Sequence, residues 1–321
     1  MEIQKRIPTP LNVLLMADLF SNHHHLEHQV ISIPVIDTHQ HLWDPTQLNI
    51  PWLDSNKELN QRFLMADYLK MTASPTSDYR IEKTIYMEAD VAEEEVSKEV
   101  DWAIKICTDP LTPLSGVIAS ARPGTDSFLA QLEESGDSPH IVGFRQVLHT
   151  DQMPAGYCLQ AGFLADLDKL SSHCLPFDIC IRSTELHDAF RLIQYCPQTQ
   201  FVLDHCGNVD LRFSSDEFQQ WKKEIHQIAS LPNVVCKVSG FIWTIQDRHW
   251  TYEKEIQPVL EEVFTAFGED RLLFGGDWPV CTLSRLTFPD WMAALQRFAE
   301  TKGSTFCQKL FSENAETIYG V

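Results

Sequence analysis

Residues 35–41 read Val-Ile-Asp-Thr-His-Gln-His, an apolar start followed by two histidines that a single residue separates. Residues i and i+2 of a β-strand point to the same face of a sheet, so His39 and His41 are expected to present two imidazoles side by side. Imidazole is the commonest metal ligand and a frequent acid–base group in proteins. The pair alone fits two surface histidines in a loop equally well, so its meaning depends on the rest of the chain.

This segment is the first of eight short apolar runs that predict β-strands. Most of the runs are rich in aliphatic and β-branched residues, as expected for parallel strands that are covered on both faces. Amphipathic helical patterns separate them, such as Val96, Val100, Ile104 and Cys107. The eight runs are Val35–His41, Lys83–Ala89, Leu114–Ala121, His140–Leu148, Leu175–Ile181, Gln200–Gly207, Val234–Gly240 and Leu272–Asp277.

Eight strands that alternate with helices predict a single-domain (β/α)8 barrel over residues 31–321. A doubly wound open sheet is the alternative, but that fold normally carries a glycine-rich G-x-G-x-x-G loop, and this sequence has none. Residues 1–30 are predicted to be an N-terminal extension of uncertain order. Residues 42–80 form a long first connection between strand and helix, and connections of that length often bind ligands.

Composition indicates a globular protein that acts on small molecules. The 321 residues carry a net charge of −20, which argues against nucleic acids and anionic membranes as partners. Nine cysteines without a Cys-x-x-Cys pair indicate reduced thiols in a cytoplasmic protein, not a disulfide framework. The sequence predicts no particular oligomeric state.

Polar or ionisable side chains lie at the ends of nearly all the predicted strands. Catalytic groups of a (β/α)8 barrel come from the carboxyl ends of its strands, so these side chains are expected to meet in one pocket. One such residue is usually a helix cap or a turn residue, but burying many of them without partners costs on the order of 2–7 kcal/mol each, even when neutral. The residues are His39, His41, Glu88, Arg122, Arg145, Asp178, Arg182, His205, Lys237 and Asp277.

The His-x-His after strand one, the histidine on strand six and the aspartate after strand eight resemble the amidohydrolase superfamily. The resemblance extends to its lactonase branch, which includes L-fuconolactonase, L-rhamnonolactonase and the pyrone-dicarboxylate lactonases. His-Gln-His-Leu-Trp-Asp-Pro at residues 39–45 is closer to the sugar-lactonase members. The other matching segments are residues 143–148, 203–207, 236–240, 272–280 and 314–319. The resemblance implies hydrolysis of a small sugar-acid lactone, such as L-fuconolactone or L-rhamnonolactone.

The resemblance leaves the role of a metal open. Metal-dependent members of the superfamily commonly have a further histidine at the end of strand five, where this chain has Asp178-Ile179-Cys180. A catalytic zinc ion needs only three protein ligands and an open position. We therefore expect either no required cofactor or one weakly bound divalent metal, with zinc the expected ion. The available ligands are His39, His41, His205 and Asp277.

The implied reaction is the attack of water on a lactone carbonyl. Asp277 is the predicted general base, because an aspartate is normally ionised near neutral pH. His205 is predicted to orient the lactone or to protonate the leaving alkoxide. Arg145 and Lys237 can instead be partners of buried carboxylates, Glu88 being the one proposed for Arg145. The predicted substrate-binding residues are His39, His41, Glu88, Arg145, Lys237 and Trp43.

Two other functions stay open at this point. One is a metal-dependent decarboxylase or another hydrolase of the same superfamily, which would need a bound metal and a second catalytic histidine. The other is a barrel that binds a small molecule without catalysis. A covalent serine hydrolase is disfavoured, because the sequence has no G-x-S-x-G motif.

Overall fold

Eight parallel strands form the centre of the molecule and follow one another around the sheet in chain order. The computed structural model describes residues 32–73, 79–245 and 249–321. Its strands are β1 (Ile33–Gln40), β2 (Tyr79–Met87), β3 (Leu114–Ser120), β4 (Ile141–Val147), β5 (Phe177–Cys180), β6 (Phe201–Leu203), β7 (Val234–Val238) and β8 (Leu272–Phe274). Gln40 pairs in parallel with Trp278, just beyond β8, which completes the circle. The predicted (β/α)8 barrel is confirmed, and every predicted strand overlaps an observed one.

One helix follows each strand. In order they are α1 (Met65–Thr72), α2 (Val96–Cys107), α3 (Asp126–Ser135), α4 (Ala161–Ser171), α5 (Leu186–Tyr195), α6 (Ser215–Ala229), α7 (Gln257–Phe267) and α8 (Phe288–Lys302). The chain ends in α9 (Ser304–Gln308) and α10 (Asn314–Tyr319). Shorter helical turns are Pro51–Ser55, Glu93–Glu95, Tyr157–Leu159, Ser183–Glu185, Phe241–Thr244, Tyr252–Ile256, Val280–Leu283 and Lys309–Glu313.

The helix α6 illustrates how the sequence specifies the outer layer. Its N-cap, Ser214, accepts a hydrogen bond from the backbone of Glu217, whose carboxylate accepts one from the backbone of Ser214 in return. Such a cap contributes about 1 kcal/mol. The apolar residues Trp221, Ile225 and Ile228 recur at helical spacing and are buried against the barrel.

A small apolar cluster fills the amino-terminal part of the barrel. It takes side chains from β1–β4 and β6–β8 together with Ala315 and Tyr319 of α10. β5 contributes the carboxylate of Asp178 at this level, which accepts hydrogen bonds from the hydroxyl of Tyr319 and the ammonium of Lys237. This cluster and the hydrogen bonds of Asp178 therefore form a packed core beneath the polar residues at the carboxyl-terminal end of the barrel.

All nine cysteines are free thiols, and seven of them are buried. No helix in the described part of the chain is long and apolar enough to cross a membrane. The predicted N-terminal extension of residues 1–30 lies outside the described residues. That boundary and the predicted cytoplasmic location stay predictions.

Candidate active site

A cavity of about 410 Å³ lies at the carboxyl ends of the strands. Five of the ten strand-end residues line it, namely His41, Arg145, Arg182, His205 and Asp277. Aromatic side chains also contribute to its wall, namely Trp52, Phe213, Phe241 and Trp243. A largely preformed cavity of this size with a few convergent polar groups is typical of a small-molecule site.

His41 presents an unprotonated nitrogen to Asp277. The ring lies 5.0 Å from that of His39 between centroids, as the H-x-H spacing predicted. Its Nδ1 lies 3.0 Å from the carbonyl oxygen of Met87, and because a carbonyl only accepts, Nδ1 carries the proton. Burial holds the pKa of His41 well below its usual value, so the ring is neutral. The lone pair of Nε2 therefore faces Asp277, whose Oδ1 lies 3.8 Å away.

His39 is held in the same protonation state by a different partner. It is fully buried, and its Nδ1 lies 3.5 Å from Oδ1 of Asp204. Burial also holds the pKa of His39 well below its usual value. The carboxylate favours the proton on Nδ1, which leaves the Nε2 lone pair 3.7 Å from Oδ1 of Asp277. Two imidazole lone pairs thus converge on one carboxyl oxygen.

Asp277 is placed by a backbone segment that packs closely against β1. Its N–H donates to the carbonyl of His39 at 2.8 Å, and the N–H of Gly276 donates to the carboxylate of Asp37 at 2.7 Å. A Cβ on Gly276 would collide with Asp37 and Phe288. The absence of a side chain at Gly276 therefore leaves room for the side chains of Asp37 and Phe288 beside Asp277.

The charge state of Asp277 differs from the one expected from its residue type. Burial raises the pKa of this carboxyl well above its usual value, and neutral histidines on either side do not offset that effect. Burial therefore favours the protonated form of this carboxyl in the absence of a cation. The expectation that an aspartate needs no tuning overlooked how deeply this residue is buried.

His205 occupies a turn with an unusual backbone. Residues 205–208 all have positive φ angles, between 53° and 71°, which is costly for residues other than glycine. The Nδ1 of His205 lies 2.9 Å from the hydroxyl of Ser239, and the ring lies 4.4 Å from that of His39. Gly240 makes room for this ring, because a Cβ there would collide with it. The strained turn and the glycine together direct the imidazole into the cavity.

Arg145 both lines the cavity and pairs with Glu88. Its Nε donates to Oε1 of Glu88 at 2.7 Å, and Nη2 donates to the backbone carbonyl of Glu88 at 2.6 Å. Its Nη1 lies 3.4 Å from both Nε2 of His39 and Oδ2 of Asp204. Burial disfavours the charge, but Glu88 outweighs it and raises the pKa of the guanidinium. Both roles weighed for Arg145 in the sequence are thus geometrically possible.

Four of the six predicted substrate-binding residues do not line the cavity, namely His39, described above, and Glu88, Lys237 and Trp43. Glu88 is fully buried by its pairing with Arg145. Lys237 is 0% exposed, with its ammonium on Asp178 and 3.6 Å from Oδ1 of Asp204. Trp43 is also 0% exposed and donates from Nε1 to the carbonyl of Gln61, while the neighbouring Trp52 reaches the cavity. Position near a strand end predicted the height of each residue in the barrel. It did not predict whether the side chain is already paired with another buried group.

A family model of amidohydrolases matches residues 36–321 of the chain. The chain belongs to the amidohydrolase family. The resemblance drawn from the strand-end residues is therefore confirmed, and with it the hydrolase class of the enzyme.

This amidohydrolase is similar to two curated lactonases. It is 25% identical over 277 residues to an L-fucono-1,5-lactonase of Burkholderia multivorans, an alignment that covers 83% of this chain and 89% of that one. It is 22% identical over 336 residues to an L-rhamnono-gamma-lactonase of Scheffersomyces stipitis, covering 89% and 98%. Among solved structures, an amidohydrolase from Burkholderia multivorans with bound zinc superposes with a TM-score of 0.76 at 23% identity, covering 89% and 99%. That likeness supports the same fold.

Sequence reasoning missed three polar groups of the amidohydrolase site. Asp204 directly precedes His205 and contacts His39, but it is absent from the residues selected at the strand ends. Asp90, two residues after Glu88, and His149, just after β4, both line the cavity. Asp204 lies inside a predicted strand, and Asp90 and His149 each lie one residue beyond one, so the strand-end rule extended by a single position would have found all three.

The donors at the centre of the site fit a divalent metal. His39, His41 and Asp277 each offer one ligand atom, and these atoms lie within 4.8 Å of one another. Nδ1 of His39 faces Oδ1 of Asp204 at 3.5 Å, so Nε2, which faces Asp277, is the nitrogen that His39 would offer to a metal. His39, Asp204 and His205 form a second group of the same kind. Imidazole nitrogens and carboxylate oxygens are donors that zinc accepts.

Proposed function

We propose that this amidohydrolase opens the ring of a sugar-acid lactone by hydrolysis. The observation that carries the proposal is the convergence of the two Nε2 lone pairs of His39 and His41 on the carboxyl group of Asp277, at the edge of the cavity. The names of the two curated relatives, L-fucono-1,5-lactonase and L-rhamnono-gamma-lactonase, support the choice of substrate class.

The residues of the cavity wall fit a substrate that has a polar reacting end and a ring with carbon atoms. Asp277, His205 and Arg145 provide polar groups, whereas Trp52 and Trp243 provide aromatic surface. Aromatic rings pack well against the C–H faces of a sugar ring, and the polar groups orient its oxygens. We propose that Trp52, and not the buried Trp43, contributes the aromatic surface that packs against the sugar ring.

In the proposed reaction, the carboxylate of Asp277 takes a proton from water as the water oxygen bonds to the lactone carbonyl carbon. The ring C–O bond then breaks, and His205 protonates the leaving alkoxide. Arg145 stabilises the negative charge that develops on the carbonyl oxygen, since its guanidinium is held at the wall by Glu88. We propose that Glu88 and Lys237 position Arg145 and Asp204 and do not themselves contact the substrate.

We propose that His39, His41 and Asp277 hold one divalent metal ion, with zinc the expected ion. When bound, such an ion would polarise the lactone carbonyl or the attacking water and would favour the ionised form of Asp277. The neutral imidazoles with proton-bearing Nδ1 atoms are already in the state that coordination at Nε2 requires.

The proposal is tested with a panel of five- and six-carbon aldonolactones that includes L-fuconolactone and L-rhamnonolactone. Hydrolysis releases a proton, which a pH indicator in weak buffer measures with the protein as purified. We expect turnover of at least one lactone, and none by the matched Asp277→Asn variant. Tight binding of a lactone without turnover would instead indicate a binding barrel. Release of CO2 from an aromatic carboxylic acid, with no lactone turned over, would indicate a decarboxylase.

A further inference from the structure

A carboxylate that the proposed reaction does not use lies on the cavity wall. Asp90 lies three residues beyond the end of β2, and its side chain is 28% exposed. Its backbone has a φ angle of 49°, which is costly for a residue other than glycine, and its N–H donates to Oε2 of Glu88 at 2.8 Å. Strained backbone of this kind is concentrated at ligand sites, so Asp90 is a candidate for contact with the substrate.

One oxygen of Asp90 has a partner and the other is open. Nη2 of Arg122 donates to Oδ1 at 3.2 Å, and Nη1 of the same guanidinium donates to the carbonyl of Ala121 at 2.9 Å. Among the described residues, none donates to Oδ2. Oδ2 is also not one of the buried oxygens that lack a partner, so a ligand in the cavity can reach it.

The charge of Asp90 makes Oδ2 a hydrogen-bond acceptor. Burial, followed by the charge of Glu88, raises the pKa of Asp90 to about 6, and the charge of Arg122 opposes the rise. The carboxyl is therefore largely ionised at pH 7.5. An ionised carboxylate only accepts hydrogen bonds, so the partner of Oδ2 has to be a donor such as a hydroxyl group.

The arginines of the cavity wall already have carboxylate partners within the described chain. The pairs are Arg145 with Glu88, Arg182 with Glu185 and Arg212 with Asp210. A substrate carboxylate would have to displace one of these partners, whereas a hydroxyl group can donate to Oδ2 of Asp90 directly. The wall therefore favours an uncharged, hydroxylated part of the substrate beside Asp90.

We propose that Asp90, held by Arg122, accepts a hydrogen bond at Oδ2 from one ring hydroxyl of the lactone and so determines which sugar lactones are accepted. The inference rests on the proposed function and adds to it the residue that recognises the substrate hydroxyl. A site built to pair with a hydroxyl rejects the analogue that lacks it, because the polar group is then left without a partner.

The test compares kcat/KM for a lactone that the enzyme turns over with kcat/KM for two analogues at each ring hydroxyl, one with hydrogen and one with fluorine in its place. Fluorine is close to a hydroxyl group in size but cannot donate a hydrogen bond. Spontaneous hydrolysis of each analogue corrects for its intrinsic reactivity. In the unmodified enzyme, we expect both analogues of one position to be poorer than the parent by about 10- to 100-fold, as for a hydrogen bond to a charged group.

Asp90→Asn removes the charge and keeps the size of the side chain. Because the guanidinium of Arg122 only donates, the amide oxygen should turn toward it and place the NH2 group in the cavity. The variant should lower kcat/KM for the parent lactone and reduce the discrimination at that one position to within about threefold. A partly unfolded preparation lowers every value alike, so the ratio of parent to analogue still reports on the folded protein.

Asp210→Asn is the matched control. It also removes a carboxylate from the cavity wall, but both oxygens of Asp210 already accept hydrogen bonds from Arg212. This variant should keep the discrimination of the unmodified enzyme within about threefold.

Several outcomes overturn the inference. These are an unmodified enzyme that discriminates at no position, discrimination that persists at every position in Asp90→Asn, or an equal loss of it in Asp210→Asn. Turnover of the fluorinated analogue at the parent rate, where the deoxy analogue is rejected, would assign the position to a donor and not to Asp90. This last comparison uses the unmodified enzyme and does not depend on the folding of a variant.

If the unmodified enzyme turns over no lactone, the proposed function fails separately, and the same lactones are then compared by calorimetric Kd. Binding that is weaker by tenfold or more in Asp90→Asn than in Asp210→Asn, and only for lactones with one particular hydroxyl, supports the inference. Equal Kd values in the two variants contradict it.

Discussion

Asp204 and Asp277 lie on either side of His39, and both are buried, yet their surroundings drive their pKa values in opposite directions. Asp204 has Lys237 at 3.6 Å and Arg145 at 3.4 Å. Burial alone would raise its pKa, but the charge of Lys237 and the contacts with His39 outweigh burial and hold it well below the usual value. Asp277 has neutral imidazoles at 3.7 and 3.8 Å, and burial raises its pKa well above the usual value although the charge of Arg145 acts in the opposite direction.

The comparison separates a structural carboxylate from a reactive one. A buried carboxylate with fixed cationic partners stays ionised and orients what it touches, as Asp204 does for His39. A buried carboxyl without such a partner exchanges its proton readily when a cation or substrate arrives. Titratable pairs whose environments separate their pKa values commonly mark acid–base sites. We therefore assign proton transfer to Asp277 and orientation to Asp204.

The largest expected effect is the loss of turnover in Asp277→Asn. An amide cannot accept the proton of water, so kcat/KM should fall about 10³- to 10⁴-fold, equivalent to about 4–5.5 kcal/mol. Proton release with the best lactone of the panel measures this loss, and circular dichroism verifies the fold. Turnover within tenfold of the unmodified enzyme would contradict the assignment of Asp277 as the base.

Asp204→Asn should chiefly affect stability. It leaves the ammonium of Lys237 and the guanidinium of Arg145 buried with one carboxylate fewer, and breaking such a pair costs about 3–4 kcal/mol. Asp210→Asn is the matched control, because Asp210 pairs with Arg212 at the surface, where a pair contributes at most about 1 kcal/mol. Urea unfolding at pH 7 measures both. Equal losses would mean that Asp204 does not carry the buried charge network.

Sequence periodicity was sufficient for the fold, since each of the eight apolar runs contains a strand of the barrel. Strand-end position was also sufficient to identify His41, His205, Arg145 and Asp277 as residues of one cavity. It could not distinguish side chains that face the cavity from those behind it. Lys237, for example, is buried on Asp178, a partner 59 residues away in the chain.

Backbone conformation and burial account for the rest of what sequence reasoning missed. His205 reaches the cavity through a turn of residues with positive φ, and no periodic pattern reports such a turn. The raised pKa of Asp277 comes from burial, which depends on the closed barrel as a whole and not on the neighbouring residues in the chain. Residue type predicted the chemistry available, and only the three-dimensional surroundings define its protonation.

Added zinc should stabilise the fold through Asp277 and not through Asp204. If His39, His41 and Asp277 hold the ion, zinc at 100 times its Kd should stabilise the unmodified protein by about 2.7 kcal/mol. Asp204→Asn should keep most of this gain, whereas Asp277→Asn should lose it. Thermal unfolding of chelator-treated protein with and without added zinc measures the difference. If the stabilisation by zinc is lost in Asp204→Asn and kept in Asp277→Asn, the ion instead binds the second group of donors, which is His39, Asp204 and His205.

The smallest expected effect is on how the free energy of unfolding changes with pH in chelator-treated protein. Asp277→Asn and Asp204→Asn should change it in opposite directions. The pKa of folded Asp277 lies above that of the unfolded chain, so ionisation destabilises the fold as pH rises, by about 1.4 kcal/mol per pKa unit. Asp277→Asn should thus be more stable than the unmodified protein at pH 7, with the difference disappearing as the pH falls below the pKa of the unfolded chain.

Asp204 gives the reverse sign, because its pKa in the folded protein lies below the unfolded value. Its contribution is complete above the unfolded pKa and disappears as pH falls through the folded one, so Asp204→Asn should be less stable at pH 7 and recover only under strongly acidic conditions. Urea unfolding from pH 2 to pH 8 measures both curves. If both variants change the free energy of unfolding in the same direction, a cation already neutralises Asp277 in the metal-free protein. The two aspartates would then differ only in their distances from Lys237.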